Sequence, residues 1–182
     1  SRDRQIIVWE NYKILNKIKI HSAIVLSLCS LTNNTFASSS GDNTIKISNI
    51  YGSVLKTFYE HTNWVWQVIK LDHNILASCS EDTSIKIWDL NIKKSINTFF
   101  ETCPIICIAF NKKTKQLISG NLNGEITIRT LTNDYKKVDT KTFKAHSGII
   151  RTIKIFNKNY IATGGEDNMI KTVSYTHLTL PT

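Results

Sequence analysis

The chain has 182 residues, 41% of them apolar, enough for one ordinary domain with a core. No run approaches the roughly 18 apolar residues of a membrane-spanning helix, and the first residues do not read as a basic-then-apolar leader. The net charge of +9 comes from lysine outnumbering arginine 19 to 4 amid abundant Ile and Asn. Base composition alone can produce such a bias, so the charge carries no functional signal by itself.

Taken in order, the apolar runs are short, rich in Val, Ile and Trp, and separated by polar turns. They read as consecutive antiparallel strands, not helices. DRQIIVWE at 3–10 holds one strand. KILNKIKI at 13–20 is expected to be the outer strand of the next unit, and AIVLSLCSL at 23–31 its inner strand. FASSSGDNTIKISN at 36–49 is expected to be the hairpin of its middle strands. WVWQVIKL, ILASCS and SIKIWD follow, turned by Asp72-His73-Asn74 and Glu81-Asp82. LISGNLNGEITIRT at 117–130 and IATGGEDNMIKTVS at 161–174 are further hairpins, and LTNDYKKVD between them reads as a long connection. The tail SYTHLTLPT at 174–182 matches no unit and is set aside as extraneous. Residue 1 falls inside a unit and is not Met, so the expectation is a fragment.

The units repeat. Asp42, Asp82 and Asp167 each lie 21 residues after His21, His61 and His146. The turn positions Asp3, Asp42, Asp82, Asn123 and Asp167 are 39, 40, 41 and 44 residues apart. A period near 40 built from strand-type segments is the signature of a repeat array.

The stretch 61–89, with an early His61 and the closing Trp88-Asp89, resembles one repeat of the WD40 β-propeller family. That resemblance implies an all-β propeller segment: four complete four-stranded blades plus part of a fifth, an incomplete ring. The units fall at 1–10 (partial), 11–49, 50–89, 90–130 and 131–173. It also implies a hydrogen-bonded network in each blade, fullest as His61, Ser78, Asp82 and Trp88. His21, Ser38 and Asp42 remain in the first unit, with Ser48 in the Trp place. His146, Thr163 and Asp167 remain in the fourth, with Val173 there. The third keeps Ser119, with Asn123 for the Asp and Arg129 for the Trp, and is expected to be the softest. Such groups are satisfied by one another when buried.

Ser, His and Asp are also the ingredients of a hydrolase triad. The set recurs in three units, and its serines sit in strand runs without a G-x-S-x-G turn, so the expectation is no catalysis. Cys103 and Cys107 have the spacing of a metal pair, but no second pair accompanies them. No metal and no cofactor are expected. Reduced thiols suit an intracellular protein of cytoplasm or nucleus.

The resemblance places the loops beside the His and Asp on one rim around the channel, where partners dock. Trp64, Trp66, Glu81, Arg151 and Glu166 are the candidate contacts, with Ile24, Leu26 and Ile149 at corresponding places. Trp and Arg dominate interface hot spots, although Trp64 and Trp66 could equally pack between blades. Trp66 and Arg151 are expected on the same rim. The implied role is a non-catalytic scaffold assembling a multiprotein complex, holding a linear peptide segment on that rim. Rivals are a basic propeller binding nucleic acid or anionic lipid, and a propeller enzyme.

Overall fold

The computed structural model describes residues 1–32, 34–92, 94–157 and 159–174. Among them the chain is all β, with seventeen strands and no helix. β1 (Ile6–Glu10) and β2 (Lys13–Ile18) form a hairpin. β3 (Val25–Thr32), β4 (Thr35–Ser40), β5 (Ile45–Asn49) and β6 (Val54–Phe58) form a four-stranded sheet in that order. β7 (Val65–Asp72), β8 (Ile75–Ser80), β9 (Ser84–Asp89) and β10 (Ser95–Phe100) form the next, and β11 (Ile105–Asn111), β12 (Gln116–Asn121), β13 (Glu125–Leu131) and β14 (Lys137–Lys144) the third. β15 (Ile150–Ile155), β16 (Tyr160–Gly165) and β17 (Ile170–Ser174) form a three-stranded sheet. Every pairing is antiparallel between neighbours in sequence.

The four-stranded sheets hold as expected, but the strands are shared out differently from the sequence units. KILNKIKI is not the outer strand of the unit at 11–49: β2 pairs with β1, and that sheet's outer strand is β6, from the next period. Turn length decides this. Asn11 and Tyr12 both have positive φ (47° and 63°), the backbone of a two-residue hairpin, so β2 folds straight back on β1. The longer loops that carry the histidines then lead to a new sheet. The described residues therefore hold three four-stranded sheets, one of three strands and one of two. The long connection expected near LTNDYKKVD joins β13 to β14. The tail beyond Ser174 lies outside the described residues.

Two compact units divide the chain, Ser1–Thr102 with β1 to β10 and Cys103–Thr182 with β11 to β17. In the first, Leu31, Ala37, Ile45, Ile47 and Phe58 of one sheet share a core with Val65, Val68, Leu76 and Trp88 of the next. The Phe58 and Trp88 rings stand 5.0 Å apart. In the second, Ile118, Ile126 and Ile128 share a core with Ile150, Ile153 and Ile161. Neither sheet of such a pair could bury its face alone. Ile45, Ile47, Ile85, Ile87, Ile126 and Ile128 are all buried, as their alternation predicts. Each such side chain is worth about 1.5–3 kcal/mol before entropy is counted. The cysteines are free thiols, and Cys79, Cys103 and Cys107 are buried. The Cys107 sulfur lies on the carbonyls of Gly120 and Ile150.

Candidate functional site

The β7–β10 sheet carries the fullest polar network. A carboxylate only accepts, so His61 Nδ1–H donates to Asp82 Oδ2 at 2.7 Å. That leaves Nε2 to accept from Ser78 Oγ–H at 2.7 Å. Trp88 Nε1–H in turn donates to Ser78 Oγ at 2.8 Å. The protons thus point one way, from indole to hydroxyl to imidazole to carboxylate. Asp82 also accepts from the Thr62 and Ser84 amides and the Ser84 hydroxyl. Burial alone would raise its pKa, but these hydrogen bonds, led by His61, hold the carboxyl well below its ordinary value.

The same geometry returns in the β3–β6 sheet. His21 bonds Asp42 at 2.9 Å and Ser38 at 2.8 Å. There too burial opposes and the bonds from His21, Thr44 and Ser22 prevail, so Asp42 sits far below the usual carboxylate range. Ser48, in the Trp place, is fully buried, and its hydroxyl has no partner. In the β15–β17 sheet His146 bonds Asp167 and Thr163, both at 2.8 Å. The bond from His146 holds the Asp167 pKa at about 2.

The β11–β14 sheet departs from the sequence expectation in two places. Asn123 stands where the Asp should be, but its side chain is exposed. Asn121, two residues earlier and buried, holds the turn: its Oδ1 accepts the Asn123 and Glu125 amides at 3.1 and 2.9 Å. Ser40 and Ser80 do half of this elsewhere, accepting the amides of Asp42 and Asp82. Arg129 is buried in the Trp place, and its Nη1–H donates to Ser119 Oγ at 2.9 Å. Gly124, the next turn residue, has φ +77°, and a Cβ there would run into the carbonyl of His146. Asn43, Thr83 and Asn168 take the same left-handed backbone at their turns.

Sequence reading also missed a set of lysines. Lys46, Lys86 and Lys171 each lie four residues after the turn Asp, so the period itself was their signal. Lys46 and Lys171 donate to the carbonyls of Ile20 and Ala145, which immediately precede the histidines. Lys86 donates to Thr98 and lies 3.7 Å from the Glu60 carboxylate. Lys56, Lys70 and Lys144 likewise reach backbone carbonyls, of Leu90, Leu31 and Asn123.

The candidate contact residues form two matched pairs, one in each compact unit. Trp66 Nε1–H donates to Glu81 at 2.6 Å. Arg151 Nε–H donates to Glu166 at 2.8 Å, with Nη2 on the same oxygen. Each pair joins the residue five after the His to the one just before the Asp. Trp64 is 40% exposed and its ring meets that of Trp66, centroids 5.7 Å apart at 55°. Neither glutamate is thus wholly available to a ligand. Among the described residues no group of three His, Cys, Asp or Glu side chains could hold a metal ion.

Comparison with known proteins fits this architecture. The WD40 repeat model ("WD domain, G-beta repeat") matches residues 12–48 and 137–172, and the TEP-1 C-terminal beta-propeller model matches 61–128. The WD40 β-propeller domain of Doa1 superposes with a TM-score of 0.85 at 23% identity, over 97% of this chain and 60% of that one. The chain belongs to the WD40-repeat β-propeller family. Among curated relatives it is 29% identical to the pre-mRNA-splicing factor cwf17 of Schizosaccharomyces pombe over 157 residues. It is 28% identical to protein SPA1-RELATED 3 of Arabidopsis thaliana over 151 residues. These alignments cover 81% and 80% of this chain, and it spans 45% and 18% of the relatives.

Proposed function

We propose that the chain is a non-catalytic scaffold that helps assemble a multiprotein complex and holds a linear segment of a partner protein against its His- and Asp-bearing loops. The carrying observation is Trp64, a large aromatic left 40% exposed beside the hydrogen-bonded Trp66–Glu81 pair. Aromatic and guanidinium groups held in place by neighbours are typical hot-spot material. In the second unit Arg151, braced by Glu166, takes the corresponding role. The Ser–His–Asp sets support stability: each serine or threonine is buried in a strand with its hydroxyl already committed, so no nucleophile is presented. Polyanion binding gains little support from the +9 charge, since the lysines are spread over every complete repeat and five of the nineteen donate to the chain's own carbonyls. A nuclear or cytoplasmic place suits this reading, given a splicing factor among the relatives.

The test is a pull-down from the native source with wild type, Trp64→Ala, Arg151→Ala and a triple alanine variant of Lys112, Lys113 and Lys115, each checked by circular dichroism. Those lysines lie in the β11–β12 turn, at the other end of the strands from the His-bearing loops. The rim variants should lose partners, each weakened by more than about 1 kcal/mol, while the lysine variant keeps them. The reverse pattern would place the interaction at the opposite loops.

A further inference from the structure

Within the first unit, four of the segments at the His61 end differ in charge from the rest of the chain, although the adjoining 1–5 and 19–24 bring Arg2, Arg4 and Lys19 to that end. Segments 41–44, 59–64, 81–83 and 101–102 carry Asp42, Glu60, Glu81, Asp82 and Glu101, and neither Lys nor Arg. Five carboxylates therefore gather on four short loops of a protein whose net charge is +9. Lys86, 3.7 Å from Glu60, offsets one of them.

The aromatic pair sits among these loops and is held rigidly. A Cβ added at Gly41 would lie 3.4 Å from the Trp64 indole, so that ring is seated on the 41–44 turn. Asn43 Nδ2–H donates to the Thr62 carbonyl at 3.3 Å, tying the turn to the loop that carries Trp64. The Glu81 amide donates to the Trp64 carbonyl at 2.9 Å, and Glu81 Oε2 accepts the Trp66 indole N–H. Tyr59, at the start of the same loop, is 74% exposed. Holding the rings in place beforehand lowers the entropic cost of binding.

Resting on the reading that this rim binds a protein segment, we propose that the segment taken by the first unit is basic, with an arginine stacked on Trp64. Its guanidinium meets the negative face of the indole and donates to Glu81, whose Oε1 is left for a ligand donor. The surrounding carboxylates attract a cationic segment and repel nucleic acid, although the chain as a whole is basic.

The intact chain is titrated calorimetrically with a short peptide of alternating arginine and glycine, with its glutamate–glycine and serine–glycine counterparts, and with polyuridylate. The arginine peptide should bind at least about tenfold tighter than the other two peptides. Trp64→Ala and Glu81→Gln should each weaken it several-fold, and raised salt should weaken it further. Glu81→Gln preserves size and an acceptor, so it guards against misfolding in the alanine variant. Equal binding of all three peptides through Trp64 overturns the basic assignment and leaves the rim reading intact. Polyuridylate binding that depends on Trp64 overturns it in favour of nucleic acid. No peptide binding, or binding indifferent to Trp64→Ala, overturns both.

Discussion

The β7–β10 and β11–β14 sheets solve one problem with different residues. In the former, an indole, a hydroxyl, an imidazole and a carboxylate stand in line, and Asp82 holds the turn. In the latter, the Arg129 guanidinium supplies the N–H to the hydroxyl, and the neutral amide of Asn121 holds the turn. What is kept between them is the set of donors and acceptors at each place. A buried hydroxyl needs an N–H, and inward-facing turn amides need an oxygen. Matching letters against the best repeat therefore overstates how degenerate the third unit is.

The largest effects should come from the two N–H donors. Trp88→Ala removes a side chain 1% exposed and packed on Phe58, so it should cost about 3–5 kcal/mol in urea unfolding. Arg129→Leu keeps apolar bulk but takes the donor from Ser119, and should cost about 1–3 kcal/mol. A cost near zero would mean that Arg129 does not stand in for the indole.

The turns should come next. Asp82→Ala should cost about 1–3 kcal/mol, and Asn121→Ala a similar amount, because each leaves backbone amides unpaired. Asn123→Ala, on an exposed side chain, should stay within about 0.5 kcal/mol. If Asn123→Ala proved as costly as Asn121→Ala, the turn would be held by the other asparagine.

Acid separates the sheets in a third way. The folded pKa values of Asp42, Asp82 and Asp167 lie below the ordinary 3.8. Stability from a depressed carboxyl is complete above its unfolded value and is lost as pH falls through the folded one. For Asp167 that window runs from 3.8 down to about 2. For Asp42 and Asp82 it extends lower. Native-state hydrogen exchange across this range should show the β8–β9 hairpin losing protection before β12–β13, whose turn amide does not titrate. Simultaneous loss in both hairpins would remove the carboxylate as the cause.

The smallest effect should fall on Ser48. Its buried hydroxyl has no partner, so Ser48→Ala should be neutral or stabilising by up to about 1 kcal/mol. Ser78→Ala, which deprives both Trp88 and His61 of their partner, should destabilise by about 1–3 kcal/mol. Thermal midpoints of the two variants give the comparison.

Much of this was legible in the residues. Strand alternation predicted the hairpins, and the 21-residue interval located the three His–Asp pairs whose contact the family resemblance implied. The sharing of strands was not legible, since a period does not say on which side of a turn the sheet ends. That was decided by two left-handed residues, Asn11 and Tyr12. Asn121 was hidden, and Arg129, though its place was read, was not read as the donor to Ser119, because each replaces a function without resembling the residue lost. The glutamate pairs had a faint signal. Glu81 and Glu166 face Trp66 and Arg151, both N–H donors. Where the residue five after the His or its equivalent is Leu26 or Cys107, the facing positions hold Gly41 and Leu122.

The offset between period and sheet makes covalent continuity uneven along the chain. A nick in the 59–64 loop would fall between two whole sheets and leave side-chain packing and a few scattered hydrogen bonds, such as Lys56 to Leu90 and Lys70 to Leu31, to hold the pieces. A nick at the exposed Tyr51 would instead leave β6 on one piece and β3 to β5 on the other, laced together by a full ladder of backbone hydrogen bonds. The repeat boundary that looks natural on paper is thus a poor place to separate this protein and a good place to split it into halves that find each other again.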